Sequence, residues 1–95
     1  MDNIDFAILR RIDELSERFG VKPYEFIATP THSIATGGTT VKFEIPAETS
    51  AAQEKRIREM LKTVGVDKDD VLKGGEIAVI DALDNALKMS PRPRV

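Results

Sequence analysis

His32-Ser33-Ile34-Ala35-Thr36-Gly37-Gly38-Thr39-Thr40-Val41-Lys42-Phe43 is the stretch that decides the fold. Two adjacent glycines lie between segments that alternate apolar and polar side chains. Both central residues of Thr36-Gly37-Gly38-Thr39 can adopt positive φ, which is what a two-residue β-hairpin turn demands. Setting Thr36 opposite Thr39 puts Ile34 opposite Val41, His32 opposite Phe43 and Pro30 opposite Ile45. One face of the ribbon is then apolar, and Thr31, Ser33, Thr40, Lys42 and Glu44 form the other. Pro30 has no N–H to give to a ladder, so its strand belongs at a sheet edge or the pairing ends there.

Upstream of the ribbon, Ile4, Ile8, Ile12, Leu15 and Phe19 recur three or four apart and predict an amphipathic helix over residues 2–19. Asp2 or Asn3 can cap it, Glu14 and Arg18 are spaced for an outer-surface ion pair, and Arg10 can reach Asp13 or Glu14. Gly20 ends the helix in the left-handed conformation. Downstream, Ser50 and Gln53 have capping-box spacing, and Ile57, Met60, Leu61 and Val64 supply a second apolar stripe. Gly65 closes that helix, with Leu61 and Val66 placed for the contact of a Schellman ending. A last helix is expected over Glu76 to Met89 with Ile77, Ile80, Leu83 and Leu87 inward. Gly74 and Gly75 set it off from a short helical turn near Lys68 to Lys73.

Residues 22–28 read two ways. Tyr24, Phe26 and Ala28 alternate like strand residues, whereas Pro23 suits the first position of a helical turn. An internal echo favours the turn, since Glu14-Leu15, Gly20-Val21 and Glu25-Phe26 match Glu59-Met60, Gly65-Val66 and Asp70-Val71 at identical offsets. The echo reads as shared helix-ending chemistry, because the remainder of the two halves does not match. Residues 90–95, Ser-Pro-Arg-Pro-Arg-Val, cannot continue a helix past their prolines and are expected to form a flexible tail behind a single globular domain of residues 1–89.

The expected architecture is α+β, ordered helix, β-hairpin, helix, helix, with the helices packed on one face of a small antiparallel sheet. Length and composition suit one core: 95 residues, 41% apolar and 32% charged. With no cysteine there is no disulfide, thiolate zinc site or cysteine nucleophile, and one histidine cannot build a multi-histidine metal site. A net charge of −2 gives no general pull toward phosphates. No cationic-then-apolar leader opens the sequence, and no apolar run approaches the ~20 residues that span a bilayer. A cytoplasmic location without membrane association is therefore expected.

No familiar catalytic pattern emerges. His32 titrates nearest neutrality, yet the sequence specifies neither the orienting carboxylate nor the nucleophile that a general base needs, and a partly buried imidazole that caps the core or is hydrogen-bonded to a backbone carbonyl is expected. Ser16, Ser33, Ser50 and Ser90 show no nucleophile-elbow pattern. Gly37-Gly38 and Gly74-Gly75 lack P-loop spacing. Asp67, Asp69 and Asp70 fail the calcium-loop pattern, because Leu72 and Ala78 stand at its sixth and twelfth positions, so they read as a helix cap and first-turn charge. The opening helix and Gly20-Val21-Lys22-Pro23 resemble the first turns of bacterial helix-turn-helix regulators. No recognition helix follows, although Lys42 and the glycine tip could serve a winged variant.

Pro91-Arg92-Pro93-Arg94 favours polyproline II and presents two guanidinium groups to an acidic surface. The expected function is a non-enzymatic protein-interaction or regulatory module without cofactor or metal, with Arg92 and Arg94 as candidate partner-binding residues. A nucleic-acid-binding regulator is the alternative. Because a two-stranded sheet is marginal alone, a homodimer joined by sheet edges or helix faces is also expected.

Overall fold

A computed structural model of the chain describes residues 3–66 and 69–91. In chain order, helix α1 (Asn3–Arg18) leads through a 3-10 turn (Pro23–Glu25) into strands β1 (Ile27–Ser33) and β2 (Gly38–Glu44). Helix α2 (Ala51–Val64), strand β3 (Val71–Gly74) and helix α3 (Glu76–Met89) follow. The fold is α+β, with three helices against a three-stranded antiparallel sheet of order β1-β2-β3. Residues 22–28 satisfy both readings, as a turn opened by Pro23 and then the start of a strand.

The sheet differs from expectation in two ways. Where a helical turn is expected near residues 68–73, the described part of that segment enters β3, which pairs with β2 and makes it the central strand. The hairpin register is also shifted: Ala28 pairs with Phe43, Pro30 with Val41 and His32 with Thr39. The turn spans residues 34–37, closed by a Gly37 N–H to Ser33 carbonyl hydrogen bond of 2.8 Å. Thr36 N–H donates to Ser33 Oγ, and Gly38 N–H to Thr36 Oγ1. Only Gly37 takes a positive φ, +66°, while Gly38 begins β2. The shift moves every pairing by four residues, an even number, so each strand keeps its inward and outward sets. It carries Ile34 from its expected place opposite Val41 to the tip, fully exposed, and puts a hydroxyl beside the imidazole instead of a phenyl ring.

Pro30 sits where β1 tolerates it. Phe43 N–H donates to the Asp70 carbonyl at 2.8 Å, so odd-numbered β2 residues bond toward β3 and even-numbered ones toward β1. Pro30, opposite Val41, therefore occupies a non-hydrogen-bonded pair on an edge strand, and its missing N–H costs the ladder nothing.

Both expected helix endings form. Gly20 (φ +72°) and Gly65 (φ +98°) are left-handed. Val21 N–H reaches the Ser16 carbonyl and Val66 N–H the Leu61 carbonyl, each at 2.9 Å, the long bond of a Schellman motif. Each ending turns a valine into the core. Ser50 Oγ accepts from Gln53 N–H at 3.2 Å and caps α2.

One buried cluster joins all the layers. Ile8, Ile12 and Leu15 of α1 and the α2 stripe Ile57, Met60, Leu61 and Val64 meet Val41, Phe43 and Leu72 of the sheet and Val79, Leu83 and Ala86 of α3. Leu83 is inward as expected, Ile80 and Leu87 pack at the margin, and Ile77 is 78% exposed, outside the core. Glu76-Ile77-Ala78-Val79-Ile80 is apolar on more than one side, and the core takes Val79. Gly74 allows α3 to start there, since a Cβ on it would stand 3.0 Å from Ala78 Cβ.

Helices α1 and α3 run parallel. Arg11 Nε meets Asp84 at 2.8 Å, and seven residues on Arg18 donates to the Leu87 carbonyl at 2.7 Å and to Ser90 Oγ at 3.2 Å. Arg18 thus satisfies a terminal carbonyl of α3 from another helix, where a cation also suits the helix dipole.

Candidate functional site

Two places contain groups that could act on another molecule. The first lies where β1 and β2 approach the start of α1. His32 Nδ1 is hydrogen-bonded to Thr39 Oγ1 at 3.1 Å, and His32 Nε2 to Asp5 Oδ1. Asp5 comes from the first turn of α1, and Thr39 is the residue paired with His32 across the hairpin. A carboxylate only accepts, so Nε2 carries a proton; Nδ1 accepts from the Thr39 hydroxyl when the ring is neutral and donates to it when charged. Carboxylate, imidazole and hydroxyl stand in the order of a nucleophilic triad.

Burial decides what that order can do. Thr39 is 1% exposed, beneath the helices, so no substrate carbonyl can come within bonding distance of its oxygen. His32 keeps 29% of its side chain exposed and Asp5 23%, with both ring nitrogens already engaged. The set works as a tie between the hairpin and α1, and it covers a buried hydroxyl that would otherwise cost roughly 1–3 kcal/mol unpaired. The ring's side-chain partners are thus a hydroxyl and a carboxylate. Asp5 was not singled out in the sequence, and Thr39 becomes a neighbour of His32 only in the observed register.

The second place is the outer face of α1. A groove of about 850 Å³ runs from Arg10 past Asp13, Glu14 and Glu17 to Val21, Lys22 and Pro23, so a cation stands at each end of its carboxylates. A smaller hollow of about 270 Å³ between Phe6 and Leu9 shares Arg10 and Asp13 with it. The two form one continuous surface along the helix, apolar at its start and acidic in the middle. Glu14 takes the expected pair with Arg18 at 3.0 Å, whereas Asp13 and Glu17 make no ion pair among the described residues, and neither does Arg10. Sequence reasoning assigned Arg10, Asp13 and Glu14 to helix support alone and did not single out Glu17. Their exposure as a set is visible in the same periodicity that places Ile8, Ile12 and Leu15 inside.

The remaining candidates have structural roles. Asp70, expected at a helix cap, has φ +58° at the entry to β3, where its carboxylate meets Arg58 at 2.5 Å. Asp67 lies outside the described residues. Gly75 is the N-cap of α3, and its carbonyl accepts the Val79 N–H. Lys42, the cation a winged DNA-binding reading would use, pairs with Glu44 at 3.5 Å. Arg92 and Arg94 lie outside the described residues. No helix among the described residues is long and apolar enough to cross a membrane. Compared with known proteins, the chain matches no family model, no curated protein and no solved structure.

Proposed function

We propose that this chain is a small non-enzymatic interaction module that binds a protein partner along the outer face of α1. The observation that carries the reading is the continuous surface from Phe6 to Pro23, whose apolar end and acidic middle suit a segment bearing one apolar anchor and positive charge. The Asp5-His32-Thr39 set gives no competing reading, because its hydroxyl faces inward. Arg92 and Arg94 belong to the same proposal as cationic contacts.

Self-association is part of the reading, and helix faces suit it better than sheet edges. The outward backbone positions of β1 fall at Ala28, Pro30 and His32, so a proline interrupts the donors a second copy would need, and β3 offers only four residues. Light scattering at micromolar concentration reads the state directly: twice the chain's 10.5 kDa supports the dimer, and a single-chain mass removes it.

Recovery of partners from the native cell with the wild-type chain and with Asp13→Lys/Glu17→Lys tests the main claim. A protein that co-purifies with the first and is lost from the second supports it; identical recoveries contradict it. Titration of nonspecific duplex DNA across a salt series separates the nucleic-acid alternative, which requires tight binding that weakens steeply as salt rises.

A further inference from the structure

We infer that a second copy of this chain docks on the outer face of α1, the two α1 helices lying antiparallel about a two-fold axis between Arg11 and Ile12. The inference rests on the reading of that face as a docking surface and names its occupant. Three observations point to a second copy.

The first is that the face supplies what it asks for. Phe6, Arg10, Asp13 and Glu17 recur three or four apart, so they share one stripe of the helix, and all four are exposed. Phe6 stands at one end of the stripe, 62% exposed, and the groove past Glu17 to Gly20, Val21 and Pro23 opens at the other. The anchor and the positive charge that suit this surface are its own Phe6 and Arg10. The second is level. With the axis between Arg11 and Ile12, helix geometry sets Arg10 level with Asp13 of the second copy, and Phe6 level with its Glu17. Helical side chains lean toward the N-terminus, which tips the Phe6 ring toward Gly20 of the second copy. A glycine there leaves the groove open to the ring, and the aliphatic stems of Glu17 and Lys22 can flank it.

The third is charge. Arg10, Asp13 and Glu17 make no ion pair among the described residues. The antiparallel arrangement brings Arg10 beside Asp13 and Glu17 of the second copy, and symmetry repeats the contact in the other direction. A parallel arrangement in register would set like charges level with one another. Glu14 stays with Arg18, and Lys22, exposed at the mouth of the groove, keeps its charge in water. The strip from Phe6 to Gly20 is ~21 Å long and ~10 Å wide, at the small end of specific interfaces. The dimer is therefore weak and dissociates at roughly 10–100 μM.

Sedimentation equilibrium of the full chain across roughly 10–500 μM, wild type beside Phe6→Ala, Arg10→Glu and Asp13→Arg, tests this. All three side chains are exposed, so circular dichroism of each variant should overlay that of the wild type. The wild-type mass is expected to rise from 10.5 kDa toward twice that value, and each substitution to weaken association about tenfold. Mixing the two charge variants gives the sharper result. Arg10→Glu alone sets acid against Asp13, and Asp13→Arg alone sets base against Arg10, but one copy of each restores opposite charges in both directions. The mixture should therefore associate with close to wild-type affinity. A mass of 10.5 kDa at every concentration overturns the inference, as does a dimer that no substitution weakens, or a mixture that stays monomeric while the wild type pairs. With a monomeric wild type, the recovery experiment on Asp13→Lys/Glu17→Lys still separates the two readings. Loss of a co-purified protein then keeps the docking surface with a different occupant, and identical recoveries remove both.

Discussion

The two helix endings, Gly20-Val21 and Gly65-Val66, are built alike and lead to different structures. Each has a left-handed glycine, a long amide-to-carbonyl bond and a buried valine. After the first, Pro23 opens a 3-10 turn and a seven-residue edge strand follows. After the second, Asp70 enters the left-handed region and delivers a four-residue strand to the other side of β2. Local chemistry makes the endings alike, and partners distant in sequence make their continuations differ.

If the likeness of the endings is energetic as well as geometric, the largest matched effects belong to the valines. Val21→Ala and Val66→Ala each remove two buried methyl groups and should each cost about 2 kcal/mol in urea unfolding. A cost at one site less than half that at the other would break the comparison. The difference between the continuations should appear next, at Asp70. Asp70→Ala removes the Arg58 partner and leaves a Cβ-bearing residue at φ +58° without a side chain that favours it, for about 1.5 kcal/mol. Asp70→Asn, which tolerates that conformation, should cost about half as much by the same assay.

The glycines come third. A Cβ at Gly20 or Gly65 would meet nothing within 4 Å, so the cost of alanine is backbone strain alone, about 1 kcal/mol at each site. Thermal melts of the two variants should agree within error, and a much larger loss at either would reveal a contact that the geometry lacks. The smallest effect is expected at Glu14→Gln, under ~0.5 kcal/mol and absent at high salt, because its pair with Arg18 is half exposed on the Glu14 side.

What the sequence made legible follows the same division. The α2 stripe of Ile57, Met60, Leu61 and Val64 is buried as its spacing implies, and both glycine endings follow from local rules. Strand β3 was missed because Val71-Leu72-Lys73-Gly74 is too short to display a period of two and reads equally well as a turn. Ile77 was misplaced because α3 carries apolar residues on adjacent sides and only packing selects among them. The hairpin slipped by an even number of residues, so the inward and outward sets survived while every cross-strand neighbour changed. For the site, that slip matters most. The sequence singled out His32, but its partners Asp5 and Thr39 depend on a helix docking and on a register that pattern alone leaves open.

That register carries the central claim, because it pairs the imidazole with an inward hydroxyl. In non-hydrogen-bonded antiparallel pairs the facing Cα atoms are about 4.5 Å apart, close enough for strong Hα–Hα cross-peaks in a nuclear Overhauser spectrum recorded in D2O. Cross-peaks joining Ala28 to Phe43, Pro30 to Val41 and His32 to Thr39 are the predicted result. Cross-peaks joining Ala35 to Thr40 and Ser33 to Lys42, the non-hydrogen-bonded pairs of a two-residue turn at Gly37-Gly38, would contradict it.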